Sequence, residues 1–165
     1  MQFTFSRLGL AHEGRPLSEP TETLLRELFG EPSRTEAFTL DLSRAAWVRV
    51  CFDAHGLYFE REEKADQVSH LALVFDRHSA SGRFTQNFTG ELVIGGALFQ
   101  PAMTPSRRPL IGDMRFQRSA EHLWHTMEGD VEVHLRFARA MKFQEGRKWG
   151  ARKGPWGVAE VSFHW

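Results

Sequence analysis

Cysteine is almost missing from this chain: Cys51 is the single one in 165 residues, so no disulfide can close within it and a reducing cytoplasm is the expected home. Long apolar runs are missing as well. No segment approaches the roughly 18 apolar residues of a membrane-spanning helix, and the N-terminal MQFTFSRLGLAHEGRP has no basic leader followed by an apolar stretch. The chain is therefore expected to be unexported, with no membrane partner. Net charge is zero, 21 Lys and Arg against 21 Asp and Glu, which argues against broad nucleic-acid binding, since that draws on phosphate neutralisation. The halves differ, however: residues 1–76 carry 8 basic and 13 acidic side chains, residues 77–165 carry 13 and 8. That asymmetry suits a charged patch meeting one chosen partner.

Recognisable catalytic motifs are absent too. There is no GxSxG, no phosphate-cradling glycine loop and no HExxH. Cys51 falls inside a predicted strand rather than in an electropositive turn, and reads as a small buried apolar residue. Of the eight histidines only His122 and His125 form a close pair, and on a strand residues three apart point to opposite faces, so they chelate only if the segment is helical. His70 and His134, within strands, read as hydrogen-bonded structural residues. Glu62 and Glu63 lie among like charges with no apolar wall to raise a carboxyl pKa. No catalytic residue, metal or cofactor is expected, and the chain is not expected to be an enzyme.

What is present is alternation. At this length one domain, residues 1–165, is expected to bury a full core. Trp47 to Phe75 holds the densest apolar pattern and reads as three consecutive antiparallel strands, the middle of a sheet: Val48, Val50 and Phe52 share a face, Asp53-Ala54-His55-Gly56 suits a tight turn, and Val68–Phe75 is almost wholly apolar. Leu24, Leu25 and Leu28 line one face of a predicted helix over 19–29, capped by Ser18 or Glu19 and stopped by Gly30 and Pro32. Phe38, Leu40 and Leu42 suggest a strand, as do residues 88–94 with a turn at Gly95-Gly96. His122–Val133 reads either as a helix capped by Ser119 or as a hairpin turning at Gly129-Asp130. The clean alternation of Val131, Val133, Leu135 and Phe137 favours the hairpin. One helix with eight or so strands predicts an α+β domain with a dominant, mostly antiparallel sheet. Similar short patterns near Leu8-Gly9-Leu10 and Leu92-Val93-Ile94 hint at two weakly related halves.

Two loops carry concentrated charge. Glu60, Glu62, Glu63 and Asp66 form the most negative run. Lys142, Arg147, Lys148, Arg152 and Lys153 form a basic one interleaved with Trp149 and Trp156, and aromatics beside Arg are common at binding hot spots.

Three short patterns, Leu24-Leu25 with Leu28-Phe29-Gly30-Glu31-Pro32-Ser33-Arg34, Phe52-Asp53-Ala54-His55-Gly56-Leu57, and Phe88-Thr89-Gly90-Glu91-Leu92-Val93-Ile94-Gly95-Gly96, resemble those of small bacterial immunity-type proteins that accompany secreted interbacterial toxins. The resemblance covers roughly residues 8–100, with Phe52 where a Trp is usual. It implies fold-defining turns, no cofactor, and a cytoplasmic protein that binds a cognate protein toxin and occludes its active site. The acidic loop would then mimic a negative substrate, or the basic loop with Trp149 and Trp156 would anchor an acidic toxin. A non-enzymatic adaptor of a secretion system and a hydrolase without a recognisable motif are the alternatives.

Overall fold

In the computed structural model, which describes residues 1–39, 45–77, 84, 86–103, 109–139 and 155–165, period-two alternation governs most of the chain. Strands β1 (Gln2–Ser6), β2 (Gly9–His12) and β3 (Arg15–Pro16) lead to helix α1 (Glu22–Phe29). There follow β4 (Arg34–Thr39), β5 (Ala46–Phe52), β6 (Leu57–Glu62), β7 (His70–Val74), β8 (Glu91–Ile94) and β9 (Ala97–Leu98). The chain closes with β10 (Leu110–Ile111), β11 (Met114–Arg115), β12 (Gln117–Ala120), β13 (Leu123–Glu128), β14 (Val131–Arg139) and β15 (Trp156–His164).

The expected α+β class is corrected: 56% of the described residues are strand and 6% helical, so the domain is mostly β. The helical signal is real but short. Thr21, not Ser18 or Glu19, is the N-cap, its Oγ1 accepting from the Leu24 N–H at 3.2 Å. Thr21 itself is extended, and the segment before the helix is tied to the β6–β7 connection: the Val68 N–H donates to the Pro20 carbonyl, and Thr21 bridges Gln67. Gly30, at φ 82°, ends the helix while its N–H donates to the Arg26 carbonyl at 2.8 Å. Eight residues give about two turns, too few to stand without tertiary packing, and the helix is fastened by Leu25 (fully buried) and Phe29, whose ring meets those of Phe3, His12 and Phe52. Leu24 and Leu28 pack at the margin of the same core.

The strands form an eight-stranded sheet of order β12-β13-β14-β15-β7-β6-β5-β4, a five-stranded sheet β3-β2-β1-β8-β9 and the small pair β10-β11. The β5–β6–β7 meander has the antiparallel order that its alternation predicts. It is one flank of the large sheet rather than the middle, because β15 inserts between β14 and β7 and makes the C-terminal segment central. The hairpin reading of His122–Val133 is the observed one: β13 and β14 pair from Leu123↔Arg136 to Glu128↔Val131 around Gly129-Asp130. Among the described pairings only β1 with β8 is parallel. Leu40 and Leu42 fall outside the described residues.

One core joins both sheets. Phe3, Phe5, Leu10, Leu92 and Ile94 from the smaller sheet share it with Val50, Phe52, Phe59, Leu71, Val133, Leu135 and Phe163 from the larger, and Phe5 and Phe163 meet ring to ring at 6.0 Å. Burying each such side chain is worth roughly 1.5–3 kcal/mol. Because one face of the large sheet is committed to this core, the opposite face receives every alternate side chain. No helix among the described residues is long and apolar enough to cross a membrane.

Candidate functional site

The outward face of the large sheet collects a row of charged and imidazole side chains. Strand register places Arg49 opposite Glu60, Glu60 opposite His70, His70 opposite His164, His164 opposite Glu132, and His134 opposite His125. Six strands, β5 to β7 and β13 to β15, thus contribute to one row. Cross-strand neighbours on one face lie about 4.5–5.5 Å apart at Cβ, so side chains of this length meet.

At one end Arg49 donates to Glu60 Oε1 from Nε at 2.8 Å and from Nη2 at 2.5 Å, and His70 Nδ1 lies 2.9 Å from Glu60 Oε2. Burial works against the Glu60 carboxylate, but His70 and Arg49 more than offset it and hold its carboxyl below the usual range. With Glu60 ionised, His70 Nδ1 carries the proton and donates. In the middle the His164 ring lies between those of His70 and His134, at centroid distances of 4.5 and 4.4 Å, and its Nε2 is 3.0 Å from Ser162 Oγ. Burial first, then the neighbouring His70 and His134, push the His164 imidazole down to about 3. At the far end Glu132 Oε1 receives His125 Nδ1 at 2.5 Å and His134 Nε2 at 3.0 Å. These two contacts, His125 foremost, keep the Glu132 carboxyl below its ordinary value.

The acidic run splits. Glu60 belongs to β6 and to this row, its side chain only 15% exposed, rather than to a loop. Its strand runs on to Glu62, paired with Trp47 of β5, and Arg61, on the opposite face, pairs with Glu22 of α1. Glu62, the last residue of β6, and Glu63 and Asp66 on the turn that follows remain exposed, with Lys64 also exposed among them. That turn is fastened at several points. The Glu63 N–H donates to the Ala46 carbonyl at 2.9 Å, Ala65 N–H to the Glu62 carbonyl at 3.2 Å, and Glu22 N–H to the Asp66 carbonyl at 2.9 Å. The Arg61 guanidinium adds donations to the Glu62 and Glu63 carbonyls, both at 2.8 Å.

Of the basic run, Arg147, Lys148, Trp149, Arg152 and Lys153, like Lys142, lie outside the described residues. Trp156 opens β15, half-buried, with the Arg139 guanidinium 5.0 Å above its ring and the His122 ring 5.0 Å away. Cys51 is fully buried, and burial pushes its thiol up to about 11, so it offers no nucleophile at neutral pH.

His122 and His125 do not converge: His122 turns to Trp156 and His125 to Glu132. What sequence reasoning missed is the partner set across the hairpin. Once Gly129-Asp130 is taken as the turn, Glu128 pairs with Val131, and counting back three residues on each strand puts His125 opposite His134. Glu132, two residues before His134, shares its face.

The three patterns behind the family resemblance meet at one corner. Arg34 pairs with Asp53, whose N–H donates to Ser33 Oγ at 3.0 Å, and the Phe29 and Phe52 rings touch edge to face. Gly56 lies against the Asn87–Phe88 backbone, where a Cβ would stand 2.6 Å from the Asn87 carbonyl oxygen. Comparison with protein families, with curated proteins and with solved structures returned no match for this chain.

Proposed function

We propose that the chain is a binding protein of the immunity type: in the cytoplasm it captures a cognate protein toxin and occludes the toxin's active site, presenting the acidic turn between β6 and β7 to a basic substrate cleft. The observation that carries this reading is the turn itself, where Glu62, Glu63 and Asp66 face solvent while backbone and Arg61 hydrogen bonds fix the loop from β5, β6 and α1. A loop already held in one conformation has less ordering entropy to lose on binding. Its charge accelerates encounter with an opposite potential, and contacts made on arrival set the off-rate. Glu60 has a different role from its neighbours, since Arg49 and His70 occupy both of its oxygens and it braces β6 against β5 and β7.

The test is affinity for the product of a toxin gene found beside the gene for this chain. Replacing Glu62, Glu63 and Asp66 together by Ala is expected to cost at least about 2 kcal/mol of binding, with circular dichroism unchanged and a weaker salt dependence of the on-rate. A folded triple variant that binds like the parent removes the acidic turn from the interface. A neighbouring toxin that does not bind the parent at all removes the immunity reading.

A further inference from the structure

The geometry points to a divalent transition-metal site, of the kind that takes Zn²⁺, formed by His125 of β13 with Glu132 and His134 of β14 on the outer face of the large sheet. This goes beyond toxin binding and stands independently of it.

The site follows from the hairpin. Gly129, at φ 60°, makes the turn, the turn fixes the register, and the register brings His125 opposite His134 with Glu132 on the same face. His125 Nδ1, Glu132 Oε1 and His134 Nε2 all lie within 4.8 Å of one another. Two imidazole nitrogens therefore converge on a single carboxylate oxygen, at 2.5 and 3.0 Å. Around a tetrahedral Zn²⁺ with bonds of about 2.0–2.1 Å, ligand atoms stand about 3.3 Å apart. Opening the two contacts that far takes less than about 1 Å of movement, and the three side chains, 36%, 37% and 22% exposed, have room to make it by χ rotation. Their backbone stays fixed, because β14 is hydrogen-bonded to β13 on one side and β15 on the other.

The donor set fits the ion. Two neutral imidazoles and one carboxylate suit Zn²⁺ and its borderline neighbours better than Mg²⁺ or Ca²⁺, which favour all-oxygen shells. Three protein ligands leave a fourth position, and the exposure of the cluster opens it to water. The His164 ring packed 4.4 Å away narrows the space in which the His134 ring can turn. The other end of the row does not qualify. Glu60 there is already engaged by the Arg49 guanidinium, and a fixed cation in that place repels a second one. On β14 the corresponding cation, Arg136, is directed to Glu160 instead.

The test uses the full chain stripped with EDTA and dialysed free of chelator, titrated with Zn²⁺ by calorimetry and with Co²⁺ by visible absorption. One equivalent of Zn²⁺ is expected, with a Co²⁺ spectrum of four-coordinate intensity. His125→Ala, Glu132→Gln and His134→Ala should each weaken Zn²⁺ binding by at least about a hundredfold, whereas His122→Ala should leave it within about threefold of the parent. Circular dichroism of the metal-free variants separates lost ligation from lost folding, and Glu132→Gln, which preserves side-chain shape, decides the matter should either histidine variant unfold. The inference is overturned if the parent binds no Zn²⁺, if Glu132→Gln binds as the parent does, or if His122→Ala is the variant that loses the metal.

Discussion

The imidazole rings of His70 and His164 lie stacked, their centroids 4.5 Å apart and their planes 11° from parallel. Two protonated imidazoles at that distance would repel by about 4 kcal/mol at an effective dielectric near 20. The row resolves the conflict by giving the two rings unequal surroundings. His70 has the Glu60 carboxylate on its Nδ1, whereas the His164 ring has the Ser162 hydroxyl at its Nε2 and the His70 and His134 rings on either side.

That inequality predicts acid lability. His164 takes a proton near 6.5 in the unfolded chain but only near 3 when folded, so between those values the unfolded state binds the extra proton and gains. Stability is full above pH 6.5 and falls as pH drops through the window, by up to about 1.4 kcal/mol per pH unit. Glu60 acts in the same direction lower down: its folded pKa is depressed, so its contribution is present above its ordinary 4.5 and is lost as pH falls through the folded value. Urea midpoints measured in EDTA should therefore decline from pH 6.5 downward. His164→Gln should flatten the slope between pH 6.5 and 4.5, leaving a residue from His12, which burial also lowers. Identical slopes for parent and variant would show that His164 does not carry the effect.

A second prediction concerns the corner that joins two of the resemblance motifs. Arg34 lies between Asp53 and Glu36, the latter 2.8 Å from its Nε, and the Asp53 side chain is only 14% exposed. Asp53→Ala leaves the guanidinium short of a partner in a partly dry place, and should cost about 2–3 kcal/mol in the denaturant midpoint with the m-value unchanged. Arg34→Ala should cost a similar amount. The double variant should lose less than the two together, by about 1 kcal/mol. Strict additivity would mean that the two side chains stabilise the fold separately.

Local patterns carried much of this fold. Val131, Val133, Leu135 and Phe137 announce β14 because one face of a half-buried strand must be apolar, and Asp53-Ala54-His55-Gly56 announces its turn through residue chemistry alone. Pairings between distant segments were not legible: nothing in Trp156–His164 says that it slots between β14 and β7, and nothing in Gln2–Ser6 says that it runs parallel to β8. The predicted helix is too long because Glu19 and Pro20 suit a first turn, while a tertiary fact, the bond from Val68 to the Pro20 carbonyl, ties that segment elsewhere and the helix starts only at Glu22. Glu60 looked like part of an acidic loop for a similar reason, since its partners Arg49 and His70 come from other strands. The His125, Glu132 and His134 cluster needs the same long view, although here a single two-residue turn is enough to supply it.

The last prediction separates two glycines of nearly equal conformation. Gly56 and Gly129 have φ of 65° and 60°, so an alanine at either pays the left-handed penalty of about 1–2 kcal/mol. Their surroundings differ. A Cβ on Gly129 meets nothing within 4 Å, whereas one on Gly56 runs into the backbone of Asn87 and Phe88. That backbone cannot retreat cheaply, because the Phe88 N–H donates to the Val74 carbonyl at 2.5 Å while the Val74 N–H donates back to the Gly56 carbonyl at 2.8 Å. Gly129→Ala should therefore lower stability by about 1 kcal/mol, and Gly56→Ala by more than about 3 kcal/mol, the range associated with overpacking and backbone strain. Thermal or urea unfolding of the two variants side by side decides it. Equal losses would show that the close approach of the β5–β6 turn to Phe88 does not constrain the fold, and that the third resemblance motif is not locked to the second.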